Sequence, residues 1–265
     1  MDKFDKIKIY LGYRLASSDI AAFRSAKHEA ACRAFTKMVK ITDIDSQELF
    51  NHIHFYFEEN GHSRPYHDWY HTCCVVEGTI RGLCYYLRTN LENLSETQQT
   101  KVNSTILAAA FHDIGHSGVT LPDIVNISRS INITHHFFTS TELYKTAIHS
   151  GKLDLSFILE TLQSTQYPFR REPLNEYQAI LRDADLLQIL EPTWFDDIYC
   201  NMYQEFLEVN PILNFMDFCE GEAVFMGDIK FYSIWFREQM HNTFSEIALL
   251  RVKQAILATK ESFRA

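Results

Sequence analysis

The chain has 265 residues, of which 25 are Lys or Arg and 34 are Asp or Glu, so its formal net charge is −9. With 46% hydrophobic and 22% charged residues, the composition is typical of a globular protein and not of a disordered chain. The acidic balance argues against a protein that binds duplex nucleic acid. No apolar run approaches the roughly 18 residues of a membrane span, and the first ten residues lack a signal-peptide core, so we expect a cytoplasmic protein.

Helical periodicity recurs along the chain, and sustained period-two alternation is absent. The sequence therefore predicts one all-α domain over residues 1–265, a helical bundle. The first forty residues are predicted to be helical, with a cap at Ser17-Ser18-Asp19. A second helix is predicted from 43–47 to Asn60-Gly61, a third starts at Tyr66 after Pro65, and a fourth runs from Ser95-Glu96-Thr97 to 111–113. After a Gly-rich interruption, further helices are predicted at 139–149, 155–165, 175–190 and 244–257.

The six cysteines show neither a C-x-x-C pair nor the spacing of a disulfide framework. We interpret them as reduced thiols that mostly fill the core. They are Cys32, Cys73, Cys74, Cys84, Cys200 and Cys219.

Two histidines four residues apart, His67 and His71, follow Pro65. On a helix, positions i and i+4 share a face, so both rings can point into one cavity. Histidines at this spacing are also common on ordinary surface helices, and the pair alone is a weak signal.

A stronger signal is the sequence His112-Asp113-Ile114-Gly115-His116, which ends a run of small and apolar residues. Burying His112 and Asp113 at the end of such a helix costs several kcal/mol unless a partner satisfies them. A divalent metal does so by binding imidazole nitrogen and carboxylate oxygen together.

A third element places Asp183 and Asp185 within an apolar stretch. Both acids could pair with Arg182 at a surface, but the apolar neighbours predict that at least one faces inward. The order of the three elements along the chain is then His, His-Asp, Asp.

This order resembles the HD superfamily of metal-dependent phosphohydrolases, a helical fold named after its vicinal His-Asp pair. Within it, the segments 66–71 and 112–126 are most similar to motifs of the cyclic nucleotide phosphodiesterases, and the resemblance extends over about 42–190. Asp185 matches the final ligand better than Asp183 because it follows a small residue and precedes Leu186. The chain differs from the phosphodiesterase pattern at Asp68, Cys74, Gly115 and Ile133.

The resemblance implies two divalent ions. His71, His112, Asp113 and Asp185 would hold the first, zinc or another transition metal, and Asp113 would bridge to a second, Mg²⁺ or Mn²⁺. A hydroxide shared by the ions would attack phosphorus, His67 would protonate the leaving oxygen, and His116 would orient water. Thr165 matches a threonine near the second ion. His135 and His136 match a paired histidine of the family, and either one of them lines the site or the pair caps a helix that faces solvent.

The expected function is therefore hydrolysis of a 3′,5′-cyclic nucleotide to the 5′-monophosphate, with a small nucleotide as the partner and no membrane span. Two alternatives stay open. One is an HD phosphohydrolase for a linear nucleotide, either a monophosphatase or a triphosphohydrolase. The other is a non-catalytic nucleotide-binding module. The base, the oligomeric state and the pocket residues of the C-terminal third are not indicated by the sequence.

Overall fold

A computed structural model describes residues 3–61, 64–88, 93–169 and 171–264. These residues contain twelve α-helices and no strand, so the prediction of an all-α fold is confirmed. The helices are α1 (Lys3–Leu11), α2 (Ser17–Met38), α3 (Ser46–Asn60), α4 (Trp69–Leu87), α5 (Glu96–Phe111), α6 (Asp123–Ser140), α7 (Glu142–His149), α8 (Leu155–Gln163), α9 (Glu176–Asp185), α10 (Tyr203–Val209), α11 (Phe215–Asp228) and α12 (His241–Arg264).

Short polar side chains begin several of these helices, as their sequence predicted. Asp45 accepts a hydrogen bond from the backbone of Glu48 at the start of α3. Ser95 and Gln98 bond each other's backbone N–H groups at the start of α5, which is a capping box. The start of α2 is one residue earlier than predicted, because its cap is Ala16, whose N–H donates to the carboxylate of Asp19.

Several other predicted boundaries are wrong. Helix α6 occupies most of the segment that was expected to be a Gly-rich interruption, so the next helix starts at Glu142 and not at 139. Helix α9 ends at Asp185, and a 3₁₀ turn follows it, so the predicted helix to 190 is too long. Helix α4 begins at Trp69 and not at Tyr66, which places His67 in the bend before the helix.

The buried apolar side chains form two clusters. The first is built on α2 to α9, and its centre is the almost fully buried α4, which packs against α2, α5 and α9. The second is rich in aromatic rings and is built on α1, α10, α11, α12 and two π-helical segments, Phe195–Met202 and Phe236–Met240. Of the six cysteines, Cys32, Cys73, Cys74 and Cys219 are buried. In the part of the chain that the structure describes, we find no helix with the length and hydropathy needed to cross a bilayer.

Two glycines allow α4 and α9 to approach closely. A Cβ atom at Gly82 would lie 2.6 Å from Cγ2 of Ile180 and 2.8 Å from Cε3 of Trp235. One turn earlier, a Cβ atom at Gly78 would lie 3.1 Å from the Cβ of Ala184. The backbones of the two helices are therefore close enough for side chains at their ends to meet.

We expect Gly82→Ala to destabilise the protein by about 1–3 kcal/mol, because the added methyl group overpacks a buried contact. Urea unfolding measures this change. The matched control is Gly227→Ala in α11, where a Cβ atom meets nothing within 4 Å and the substitution should be neutral or stabilise by up to about 1 kcal/mol. Equal stability of the two variants would contradict the close packing of α4 on α9.

Candidate metal centre and its cavity

Three helices bring four ionisable side chains to one point. His71 lies in the first turn of α4, where its N–H donates to the capping carboxylate of Asp68 at 2.9 Å. His112 and Asp113 directly follow α5, and Asp185 is the last residue of α9. His112 and His71 are almost fully buried, and Asp113 is buried as well.

The nitrogen and oxygen atoms of this group are closely spaced. Nε2 of His71 and Nε2 of His112 lie 3.2 Å apart. Oδ1 of Asp185 lies 3.1 Å from Nε2 of His71 and 3.3 Å from Nε2 of His112. Oδ2 of Asp113 lies 3.3 Å and 3.2 Å from the same two nitrogens.

These separations suit a metal ion. Ligand atoms about 2.1 Å from one ion lie about 3.0–3.4 Å apart at octahedral or tetrahedral angles. His71, His112 and Asp185 form a compact group that can hold an ion, with ligand atoms all within 4.8 Å of one another. Asp113 flanks both imidazoles, and its buried Oδ2 has no hydrogen-bond partner among the described residues. A donor set of imidazoles and carboxylates is typical of zinc and other transition metals.

The outer nitrogens of both imidazoles are already engaged. Nδ1 of His112 lies 2.8 Å from the backbone oxygen of Ala109, and Nδ1 of His71 lies 2.5 Å from Oε1 of Gln188. Because both oxygens can only accept, each Nδ1 carries a proton and each Nε2 faces the centre of the group. This is the tautomer that a metal-binding histidine needs.

The pKa values of the group depend on its mutual charges. Burial lowers the pKa of His71, but the bonds and charges of Asp113 and Asp185 outweigh burial and raise it to about 10. The same balance raises the pKa of His112. Burial raises the pKa of Asp113 and Asp185, but the facing imidazoles lower both well below their usual range. Without a metal, the two carboxylates therefore stay ionised and favour the protonated forms of the imidazoles that face them.

The two candidate acids of α9 have different positions. Asp185 faces the imidazoles, whereas Asp183 is buried and accepts backbone hydrogen bonds from Tyr232 and Ser233. The guanidinium of Arg182 pairs with neither, but lies 3.5 Å from the ring centroid of Phe169. Asp185 therefore faces the candidate ion site, whereas Asp183 holds Tyr232 and Ser233, which precede the π-helical segment Phe236–Met240.

His67 lies beside this group and is held by a buried carboxylate. Its Nδ1 lies 2.7 Å from Oε2 of Glu205, whose Oε1 accepts the backbone N–H groups of Tyr66 and His67. Burial lowers the pKa of His67, but the hydrogen bond to Glu205 and the charge of Asp113 raise it overall. The approach of Glu205 requires Gly118, where φ is +63° and a Cβ atom would lie 2.7 Å from Oε2.

The ring of His116 stacks on that of His67, with centroids 3.8 Å apart and planes inclined by 21°. Nδ1 of His116 accepts the backbone N–H of Gly118 at 3.0 Å, and Nε2 lies 3.5 Å from Asp123. Burial and the neighbouring charge of His67 lower the pKa of His116. These opposite shifts favour the proton on His67 over one on His116.

His67, His71, Asp113, His116 and Asp185 line one cavity of about 660 Å³, a size typical of a small-molecule site. The remaining wall is mostly apolar and comes largely from the loop before α9, the π-helical segment Phe195–Met202, α10 and α11. Its main apolar contributors are Tyr167, Phe169, Ile198, Met202, Phe206, Phe218, Phe225 and Met226. Among the described residues, neither Lys nor Arg lines it.

The structure separates the remaining candidates. Thr165 is buried and lines the cavity, with its hydroxyl bonded to the backbone of Leu162. His135 and His136 lie on the exposed face of α6 and do not line the cavity, so the expectation that one of them does is not met. The described residues contain no second compact group of three metal ligands beside Asp113, so the second ion stays a prediction.

Two functional groups of the site were missed in the sequence, Glu205 behind His67 and Glu222 in the cavity wall. Glu205 lies 138 residues from His67, and no local pattern indicates that contact. Glu222 of α11 is 8% exposed, and burial raises its pKa to about 7. A carboxyl group within the otherwise apolar turns of α11 is a signal that could have pointed to Glu222.

Comparison with protein-family models and with curated proteins of known function found no match to the chain. The function of the chain is therefore inferred from the geometry of the site and from the resemblance of its motifs.

We expect Asp185→Asn to weaken Zn²⁺ binding at least 10-fold, because it removes one of the three compact ligands and its charge. Isothermal titration with Zn²⁺ at neutral pH measures the affinity. The matched control is Asp183→Asn, which alters a buried acid two residues away and should lower stability but leave Zn²⁺ affinity within about two-fold. Weakened Zn²⁺ binding in Asp183→Asn together with unchanged binding in Asp185→Asn would contradict the assignment of Asp185 as a metal ligand.

Proposed function

We propose that this protein is a metal-dependent phosphodiesterase that hydrolyses a 3′,5′-cyclic nucleotide to the 5′-monophosphate. The observation that carries the proposal is the position of His67, a histidine cation on a buried carboxylate, beside the metal-binding group in one cavity. A phosphodiester needs both functions, because charge develops on the phosphoryl group while a sugar oxygen departs.

His71, His112 and Asp185 would hold the ion, with Asp113 beside them. When bound, a divalent ion supplies Lewis-acid polarisation of the phosphoryl group and an activated water. The chain itself keeps both imidazoles in the ligand tautomer through Gln188 and the backbone of Ala109. It also excludes bulk water, since His71, His112 and Asp113 are all buried.

His67 is the proposed general acid. Its Nδ1 is fixed on Glu205, which leaves Nε2 as the nitrogen that can donate a proton to the departing sugar oxygen. The raised pKa favours the protonated form of His67, and the stacked ring of His116, whose pKa is lowered, fixes the plane of the His67 ring. Ionised Glu205 then stabilises the His67 cation before proton transfer and still accepts the Nδ1–H of the neutral ring afterwards.

The charge of the cavity favours a cyclic monophosphate over a triphosphate. No described Lys or Arg lines the cavity, and its acids include Asp123, Asp217 and Glu222. A triphosphate carries about four negative charges and usually needs Arg or Lys partners, whereas a cyclic phosphodiester carries one. A linear monophosphate is dianionic and is the closer alternative. Retention of His67 on Glu205 is an argument against a purely non-catalytic binding module.

Glu222 is the proposed contact for the base. It lies in the apolar part of the cavity, among rings that can stack on a base, and no described side chain hydrogen-bonds its carboxyl group. A protonated carboxyl offers one donor and one acceptor, whereas a carboxylate offers only acceptors. The two forms therefore match different edges of a purine.

We expect His67→Gln to lower kcat for a cyclic nucleotide by roughly 10²–10⁴-fold, because it removes the proton donor, with Zn²⁺ affinity unchanged. Turnover of cyclic AMP, cyclic GMP, linear monophosphates and linear triphosphates should be measured with Mn²⁺ and Mg²⁺ supplied. His135→Gln, on the exposed face of α6, is the control and should retain full activity. Hydrolysis of linear nucleotides alone would contradict the proposal.

We also expect the preference for cyclic GMP over cyclic AMP to rise with pH. With the pKa of Glu222 raised to about 7, the ionised fraction increases from roughly 10% at pH 6 to roughly 90% at pH 8. The carboxylate accepts from the two adjacent N–H donors of guanine, whereas the acid form suits the donor and acceptor of adenine.

The titration of an enzyme group such as His67 affects both substrates equally, so it cancels in the ratio of the two kcat/KM values. The ratio should change on the order of 10-fold over this range in the wild type and stay flat in Glu222→Gln. Glu220→Gln, an exposed acid on the same helix, is the control and should behave as the wild type. A flat wild-type ratio would contradict the role of Glu222.

A further inference from the structure

One arginine of α2 holds two carboxylates, one of which contacts His71. Nη1 of Arg24 lies 2.7 Å from Oδ2 of Asp68, and Nη2 lies 2.8 Å from Oδ1 of Asp197. Asp68 in turn caps α4 by accepting the backbone N–H of His71. The contact with Asp68 therefore fixes the backbone of the metal ligand.

Asp197 keeps Arg24 in this position. Thr193 donates to Oδ2 of Asp197 at 2.5 Å, and Tyr70 bonds the Thr193 hydroxyl at 2.8 Å. Asp197 is 1% exposed, so water does not compete for these bonds.

A further side chain contacts the imidazole of His71 itself. Oε1 of Gln188 lies 2.5 Å from Nδ1 of His71. Because Oε1 of Gln188 accepts, Nδ1 of His71 must carry the proton, and Nε2 presents its lone pair to the metal site.

We propose that Arg24, Asp197 and Gln188 are positioning residues that set the orientation and tautomer of His71, so that α2 controls the metal affinity of the site. Arg24 lies outside the segment 42–190 that carries the motifs, and it does not line the cavity. The proposal depends on the metal site described above but not on the identity of the substrate.

A neighbouring residue provides a matched control. Lys27 lies one turn after Arg24 on α2 and also bridges two carboxylates, Glu77 and Glu191, at 2.8 Å each. Glu77 belongs to α4, and Glu191 follows Gln188 by three residues, so Lys27 joins the same parts of the fold. Its partners pair with Lys27 and not with a metal ligand.

The experiment compares Arg24→Met with Lys27→Met. Zn²⁺ affinity is measured by competition with a chelating dye, and the stability of the metal-free proteins by urea unfolding. We expect Arg24→Met and Gln188→Met each to weaken Zn²⁺ binding about 10-fold or more, the usual cost of removing a partner behind a metal-bound histidine. Lys27→Met should lose stability but keep its affinity within about two-fold.

Two further measurements separate positioning from a general loss of structure. The variant Arg24→Met/Gln188→Met should bind Zn²⁺ more weakly than either single variant, because one change acts on the backbone of His71 and the other on its Nδ1. In the Zn²⁺-loaded wild type, the Nδ1 proton of His71 should be visible in ¹H–¹⁵N spectra, and it should be lost to exchange in Gln188→Met. If Arg24→Met fails to fold, Arg24→Lys, which cannot hold both carboxylates in the same fork geometry, should show an intermediate loss of affinity.

Equal Zn²⁺ affinity of Arg24→Met and Lys27→Met, or an unchanged Zn²⁺ affinity of Gln188→Met, would overturn the proposal. These results are distinct from a failure of the proposed function. A wild type that binds Zn²⁺ but hydrolyses no cyclic nucleotide contradicts the phosphodiesterase alone, whereas a wild type that binds no Zn²⁺ contradicts both.

Discussion

The site depends on one electrostatic constraint, which is that two carboxylates each lie 3.1–3.3 Å from two buried imidazoles. Such groups are expensive to remove from water unless their charges and hydrogen bonds are compensated. Here the compensation is either mutual, because Asp113 and Asp185 favour the protonated forms of His71 and His112, or supplied by a cation that replaces protons. Exchange between protons and a metal ion is therefore the chemistry that the cluster favours.

Helix packing meets this constraint through backbone proximity. His71 and Asp185 lie at helix ends, and the glycines of α4 allow α9 to come close enough for their side chains to meet. The close approach is therefore as necessary to the site as the ligands. It also explains why residues without any polar function, such as Gly82, should influence a metal centre.

The ligands could be predicted from the sequence because each belongs to a local pattern, a His-Asp pair at a helix end or an acid in an apolar stretch. Helices with clear caps, such as α3 and α5, could be predicted for the same reason. Helix α6 was not predicted, because its Ser, Thr, Asn and β-branched residues have weak helix propensity and packing stabilises it instead. Contacts such as Glu205 with His67 join segments far apart in the chain, and no periodicity encodes them. Whether the site hydrolyses a phosphodiester stays a prediction.

The distribution of charge in the cavity links phosphate binding to the metal site. A small anion cannot enter a cavity lined by carboxylates unless positive charge is present at one end, and the described lining residues supply it only as histidine. His67 provides one cation, but Glu205 already neutralises it. The attraction for a phosphate must then come from an ion bound by His71, His112 and Asp185, so ligand affinity should depend on metal occupancy. Since Arg24 and Gln188 orient His71, a helix outside the motif-bearing segment can influence both.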